Sequence, residues 1–340
     1  MKCDIIIPVW SNPDFTKNCM ESVFKNTDYA FHLIIIDNAS DNLTRDYLNK
    51  LAHDKKDSIT LLRNDKNLGF IKATNQGIRE SRAPYVCLLN NDTEVTRGWL
   101  EEMIRVAEKK DDIGIVNANS NTLGCKVKRG QSAESLAKGL KSHSGEYAIL
   151  AWATGFCMLI KRKVIDEVGL FDEIYGMGNF EDADFSKKAQ KLGYSCVCAI
   201  ASYVYHKERR SFAKFKKFNQ DFDRNREIFC SKWGRQERIL YILSRTDSVL
   251  RKEIGRESMK LASDGNIIWI FLKGKGGQEI KKHSNIYIYN LPEILFGSVS
   301  LWRVLKRKKK FDKIYVDDKN YEKRFRGFGF FHKAEVIYAC

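Results

Sequence analysis

Proline is scarce in this 340-residue sequence, with four in all, and that excludes a collagenous, polyproline or low-complexity chain. No apolar run reaches the roughly 18 residues of a spanning helix, so a membrane-spanning protein is not expected. The stretch Met1 to Trp10 has no basic segment followed by a long apolar one, so a standard secretion signal is not expected either. The nine cysteines contain no C-x-x-C pair. Their odd number, and the position of Cys3, Cys87, Cys157, Cys196 and Cys198 within apolar runs, argue against a disulfide framework or structural zinc and for a reducing compartment. What is present, 43% hydrophobic and 30% charged residues, describes a folded cytoplasmic chain.

Charge is unevenly spread. Residues 1–240 hold 38 Lys and Arg against 32 Asp and Glu, whereas residues 241–340 hold 21 against 11. Clustered cations attract anionic headgroups, phosphorylated substrates or nucleic acid. The densest run is Lys306-Arg307-Lys308-Lys309-Lys310. It lacks flanking aromatic stacking motifs, so nucleic acid is not expected, and a solvated helix end is its plainest reading. The inner face of a membrane is the peripheral surface such a tail could meet.

Short β-branched runs alternate with amphipathic stretches from the start: Cys3 to Val9, Phe31 to Asp37, Ile59 to Arg63, Tyr85 to Asn90 and Ile113 to Asn117, with helical segments between. Strand then helix, repeated, is the pattern of a largely parallel sheet, and consecutive apolar residues such as Ile5-Ile6-Ile7 mark strands buried on both faces. Residues 120–148 are small and polar and read as a flexible flap. Beyond it, Ala151 to Lys161 and Tyr194 to His206 are strand-like, and Phe180 to Leu192, Lys214 to Cys230 and Gln236 to Ile254 helical. From Asn266 a second alternation reads as half of another α/β unit, and the chain ends directly after a strand, so that unit reads as incomplete. The expectation is two domains, residues 1–240 and 241–340.

Ligands on open α/β sheets bind beyond the carboxyl ends of strands. Acidic and amide residues gather there: Asp37-Asn38-Ala39-Ser40, Asn90-Asn91-Asp92 and Glu181-Asp182-Ala183-Asp184. Each has a structural alternative, an Asx turn for Asp37, a helix cap for Asp92 and a favourable helix-dipole position for Glu181 and Asp184. Carboxylates at one edge either repel or share a cation, and a diphosphate substrate usually arrives with one.

In order along the chain, these stations resemble family 2 glycosyltransferases of the GT-A fold. The likeness runs through Ile5-Ile6-Ile7-Pro8-Val9-Trp10, Ile36-Asp37-Asn38-Ala39-Ser40, Asn67-Leu68-Gly69-Phe70 with Asn75 and Gly77, Leu89-Asn90-Asn91-Asp92, Thr154-Gly155, Glu181-Asp182 and His206. It covers about residues 1–235 and is nearest to the rhamnosyltransferase-like branch that builds surface polysaccharide. The resemblance implies a GT-A domain followed by a smaller α/β domain. It also implies inverting transfer from a UDP- or dTDP-sugar to an acceptor hydroxyl on a carbohydrate or a lipid-linked molecule. Divalent metal, Mg or Mn, is expected on Asp92 and His206, although Asn90 stands where the family's D-x-D station begins with Asp. Asp182 is the expected catalytic base, and Glu181, Trp152 and Gly155 are acceptor-side. Asp37, Pro8 and Trp10 meet the donor base, while Asn67, Gly69, Asn75 and Asn91 shape the rest of the donor site, with Asp65 beside them.

Two other readings compete. A sugar-nucleotide pyrophosphorylase needs a glycine-rich basic loop after its first strand, and Val9-Trp10-Ser11-Asn12-Pro13-Asp14 has no glycine. A non-catalytic carbohydrate or membrane-surface module has no need of a base, which Asp182 would supply. Leu272-Lys273-Gly274-Lys275-Gly276-Gly277 lacks the Walker spacing and reads as a glycine turn.

Overall fold

The computed structural model describes residues 2–207, 218–245, 247–278 and 280–339. They divide into two compact units, one of residues 1–148 and 152–233, the other of residues 149–151 and 234–340.

The first unit runs β1 (Cys3–Val9), α1 (Pro13–Asn26), β2 (Phe31–Asn38), α2 (Asn42–Asp54), β3 (Ile59–Asn64), α3 (Phe70–Glu80), β4 (Tyr85–Leu89), β5 (Thr93–Val95), α4 (Trp99–Ala107), β6 (Ile113–Asn119), α5 (Ala133–Leu140) and β7 (Tyr147–Ile149). It continues with β8 (Cys157–Lys161), α6 (Arg162–Val168), α7 (Glu181–Lys191), β9 (Ser195–His206) and α8 (Phe218–Trp233). The sheet order is β3-β2-β1-β4-β8-β6-β9-β5, with β7 also pairing β9. The strands β1 to β4 pair in parallel, whereas β8 is antiparallel to both β4 and β6. Ile5, Ile6 and Ile7 are fully buried, as a strand covered on both faces requires, each contributing about 1.5–3 kcal/mol. Gly77 allows α3 to lie on that sheet, because a Cβ there would come within 2.5 Å of Ile6 Cγ2 and 2.9 Å of Ile36 Cδ1.

Chain order leaves β1 with β2 on one side and β4 on the other, so a crevice opens at the carboxyl ends of β1 and β4, the usual ligand position in such sheets.

The second unit is a five-stranded, wholly parallel sheet of order β12-β11-β10-β13-β14. Its elements are β10 (Arg238–Leu243), α9 (Ser248–Ser263), β11 (Ile267–Lys273), β12 (Ile286–Leu291), α10 (Phe296–Leu305), β13 (Lys313–Val316), α11 (Lys319–Gly327), α12 (Gly329–His332) and β14 (Glu335–Tyr338). It is fuller than the half-unit expected. The difference begins at its first strand: residues 236–254, expected as one helix, form β10 and then the start of α9. Ile239, Leu240, Tyr241, Ile242 and Leu243 are all buried, and five consecutive apolar residues suit a strand covered on both faces better than a helix with one wet side. The Asp247 carboxylate then caps α9 by accepting the Val249 N–H at 2.8 Å. The glycine stretch after β11 is a turn, as expected, with Gly274 and Gly277 at φ +70° and +94°.

Two further expectations are corrected. The flap is not structureless: Ser132 caps α5 through the Ser135 N–H, and buried Glu102 accepts from Ser144 Oγ and Gly145 N. Residues 151–156, expected as strand, form a loop, and only Cys157–Lys161 pairs in the sheet. The expected start of a helix at Lys214 lies outside the described residues.

Candidate active site

At the carboxyl ends of β1 and β2 two turns are tied together. Asp37 is fully buried; Oδ1 accepts the Ser40 N–H at 2.9 Å and Oδ2 accepts Arg63 Nε at 2.9 Å. Arg63 reaches it because β2 and β3 pair with Asp37 opposite Arg63. Ser40 Oγ in turn accepts from Ser11 N, which joins the turn after Pro8 and Trp10 to the Asp37 turn. Ser11, Asn12 and Ala39 all have positive φ, so this edge carries backbone strain of the kind that gathers at functional sites.

Asn67 orders the next loop: Oδ1 accepts from Gly69 N at 2.9 Å and from Asn38 Nδ2 at 2.8 Å. Gly69 has φ +84°, and a Cβ there would lie 3.0 Å from Met177 Sδ, so only glycine suits the position. Asn75, expected to help shape the donor site, lies on α3. It is buried, its Nδ2 donating to Phe171 O and its Oδ1 accepting from Phe171 N. Its Nδ2 also reaches Glu173 Oε1 at 3.4 Å, so the amide holds the 171–173 turn.

The acidic pair Asp92 and His206 is made by register, since Thr93 on β5 lies opposite His206 at the end of β9. His206 Nε2 is 3.2 Å from Asp92 Oδ1. The imidazole stacks on Phe156 with ring centres 5.2 Å apart, and Asn121 grips the His206 backbone at both N–H and C=O, each at 2.8 Å. Asn91 points its amide at Thr16 Oγ1, 2.9 Å away. Among the described residues no three His, Cys, Asp or Glu side chains converge on one point. A carboxylate oxygen and an imidazole nitrogen are the donor types that could hold a divalent ion, and Asp92 and His206 are close enough to share one.

The second acidic group sits at the start of α7. Asn179 and Phe180 take φ +79° and +73°, two consecutive strained residues that turn the chain into the helix at a cost of about 1–3 kcal/mol each. Asn225 on α8 holds that turn, its Nδ2 donating to Tyr175 O at 2.8 Å and Gly178 O at 2.9 Å. Asp182 Oδ2 accepts the Gly155 N–H at 2.9 Å and Oδ1 the Ala183 N–H at 2.8 Å. Loss of solvation raises its pKa, and these N–H bonds only partly offset the rise. Glu181 is buried with no hydrogen-bond partner for Oε2 among the described residues. Burial, and then the Asp182 charge, push its pKa well above the usual carboxylate range. Asp184 is the opposite case. Burial would raise it, but Lys188 at 2.8 Å and Trp233 Nε1 at 2.8 Å hold it below its ordinary value, and Tyr175 OH adds a third bond. It binds α7 to α8.

The loop 154–157 connects the two acidic groups: Gly155 donates to Asp182, and the adjoining Phe156 stacks on His206 and accepts the Asn90 N–H at 2.9 Å. Buried Asn117 fixes this loop through Thr154 O, Thr154 N and Cys157 O. Trp152 instead lies edge-on to Phe229, ring centres 5.8 Å apart. Arg63, Asn117, Asn121, Phe156 and Asn225 were not singled out from the sequence. Only Arg63, a cation ending an apolar strand, and Asn117, an amide inside one, carry a signal that could have been read.

The mixed sheet with this strand order and carboxyl-end crevice is a fold of GT-A type. Residues 4–169 match the family model described as glycosyl transferase family 2, which identifies the first unit as a domain of that family. Among curated relatives, it is 27% identical over 225 residues to the uncharacterized protein y4gI of Sinorhizobium fredii, covering 61% of this chain and 24% of that one. It is 23% identical over 208 residues to the uncharacterized glycosyltransferase YwdF of Bacillus subtilis, covering 60% and 74%. With the O-antigen biosynthesis protein RfbC of Myxococcus xanthus it shares 23% identity over 234 residues, 62% of this chain and 18% of that one. The chain thus spans a quarter or less of the length of two of these relatives. The fold is shared with GalNAc-T7, solved with UDP, GalNAc and Mn2+ (TM-score 0.55, 16% identity, 68% of this chain and 48% of that one). It is shared too with S. aureus TarS 1–349 in complex with UDP-GlcNAc (TM-score 0.52, 14% identity, 68% and 66%).

Proposed function

We propose that the chain is an inverting glycosyltransferase that moves a sugar from a nucleotide-diphosphate donor, UDP- or dTDP-linked, to an acceptor hydroxyl during surface polysaccharide or glycoconjugate synthesis. The observation that carries the proposal is Asp182: a carboxylate of raised proton affinity, joined through Gly155 and Phe156 to the Asp92–His206 pair. The acceptor hydroxyl gives its proton to Asp182, the acceptor oxygen bonds to the anomeric carbon, and the bond from that carbon to the diphosphate oxygen breaks. A higher carboxylate pKa makes Asp182 a better base for this step. Glu181, protonated at neutral pH, hydrogen-bonds the acceptor and leaves Asp182 as the charged member of the pair. Asp92 and His206 would hold Mg or Mn, which supplies charge to offset that growing on the departing diphosphate.

Asp37, already held by Arg63 and Ser40, keeps lone pairs for a base imide N–H, with Pro8 and Trp10 lining the base pocket. Asn67, Gly69 and Asn91 shape the remainder of the donor site, and Trp152 and Gly155 face the acceptor. The RfbC relative, an O-antigen biosynthesis protein, favours the polysaccharide setting, and the motif order favours the rhamnosyltransferase-like branch. The acceptor is then carbohydrate or lipid-linked, and the basic residues 241–340 meet an anionic membrane surface. No helix among the described residues is long and apolar enough to cross a membrane.

The test is a screen of nucleotide sugars for hydrolysis with Mg or Mn, the anomeric configuration of the product being read by NMR. One donor hydrolysed with inversion is expected. Retention, or no turnover of any nucleotide sugar, would overturn the proposal.

A further inference from the structure

The second unit exposes large apolar side chains in one region. Ile294 and Leu295 lead into α10 and are 81% and 68% exposed, Trp302 on α10 is 57% exposed, and Phe330 and Phe331 on α12 are 85% and 61% exposed. Leu295, with φ +65°, is the residue that turns the chain into α10, and Trp302 lies on that helix. The helices α10 and α12 are in contact, and Arg324 of α11 donates to Ser298 of α10 at 3.1 Å, so the elements that carry these side chains are neighbours. Single exposed apolar residues are ordinary, but a cluster of this size marks an interaction surface.

Its rim is cationic. Residues 294–333 hold twelve Lys and Arg against four Asp and Glu, and one of the four, Asp317, is buried under its own hydrogen bonds. Within the basic run, Arg307 turns inward over Trp269 and Phe311 and Lys310 caps Leu305 O, while Lys306, Lys308 and Lys309 stay exposed.

We infer that this face docks on an anionic lipid bilayer, with Phe330, Phe331, Trp302, Ile294 and Leu295 entering the headgroup and acyl boundary and the lysines holding the lipid charge. Charge complementarity selects the occupant. A second copy in a two-fold contact would set one cationic rim against another, whereas an anionic bilayer offers opposite charge around an apolar interior. The inference rests on the anionic-surface partner proposed above and not on the transfer chemistry.

The experiment is co-sedimentation of the full chain with phosphatidylcholine vesicles with and without about a third phosphatidylglycerol, at low and high salt. The comparison proteins are F330S/F331S, K308E/K309E and W302F, with donor hydrolysis measured in parallel. The intact chain is expected to bind the anionic vesicles and to shift its tryptophan emission to shorter wavelength, a shift missing in W302F. F330S/F331S should lower partitioning about tenfold or more at both salt levels, and K308E/K309E should lower it chiefly at low salt. Hydrolysis should be unchanged in both variants, which separates a failure of docking from a failure of the transferase. No binding to anionic vesicles, equal binding by F330S/F331S, or a dimer of the intact chain that F330S/F331S abolishes would each overturn the inference.

Discussion

Each unit holds a buried, hydrogen-bonded carboxylate just past a strand, Asp37 in the first and Asp317 in the second, but only the first adds acids at the start of a helix that are left under-satisfied. In the second unit Asp317, after β13, accepts from Ser244 N, Ser244 Oγ and Arg245 N at 2.7–2.9 Å and is wholly buried. It is a staple between the ends of β10 and β13. In the first unit Glu181 is buried with an oxygen unpartnered, Asp182 is raised by lost solvation, and the His206 ring leaves Nδ1 buried without a partner among the described residues. A fully satisfied buried acid stabilises its fold, and an under-satisfied one costs stability. The edge acid is thus closed off in both units, and the under-satisfied groups of the first stand apart from it, at the start of α7 and at the end of β9.

Chelation should have the largest effect on the poised side of this comparison. A metal-stripped sample in excess EDTA is expected to turn over donor at background rate, and full activity there would remove Asp92 and His206 from their proposed part. Asp182→Asn should lower transfer by about 10²–10⁴-fold while nucleotide affinity, measured calorimetrically, is kept. A reversal, with Asp184→Asn losing transfer and Asp182→Asn keeping it, would reassign the base. On the stapled side, Asp317→Ala leaves three donors unpaired and should cost about 2–3 kcal/mol in denaturant unfolding of the second unit, with donor hydrolysis unchanged.

Glu181→Gln sharpens the contrast in pH. A carboxyl whose pKa is raised by folding contributes stability that is fully present below its unfolded value and lost as pH rises through the folded one. The amide removes that loss. The variant's Tm should therefore match the parent near about pH 4 and exceed it by about 2–4 °C near about pH 8, and a constant difference across that range would show that Glu181 is not held protonated. The smallest effect is expected from ending the chain at Trp233, before β10: nucleotide-sugar affinity should change by less than about twofold, a free-energy change of under about 0.5 kcal/mol.

The strands of the first sheet were legible because strands buried on both faces are written as consecutive apolar residues, as in Ile5-Ile6-Ile7. The same rule should have found β10, but Arg238–Leu243 lies between charged segments that mimic helical spacing. Residues at the ends of strands, Asp37 and Asp92, could be read from position. What could not be read was which polar side chains close on the framework. Asn75 and Asn91 carry the same amide, and only the fold sends one to the Phe171 backbone and the other to Thr16. Asn225 lies 43 residues beyond Asp182 in sequence, and no local pattern links it to the turn it holds.

That last contact has a consequence for how the enzyme comes into being. A ribosome that has made residues 4–169 has produced the segment that matches the family model, including Asp37 and Asp92. The turn at Asn179 and Phe180 still lacks Asn225, and Asp184 still lacks Trp233. At about 5–20 residues per second, several seconds separate the emergence of Asp182 from that of the helix that holds it in place. During that interval the turn into α7 has no α8 to hold it, so the proposed transfer site is completed only when α8 has been synthesised and docked.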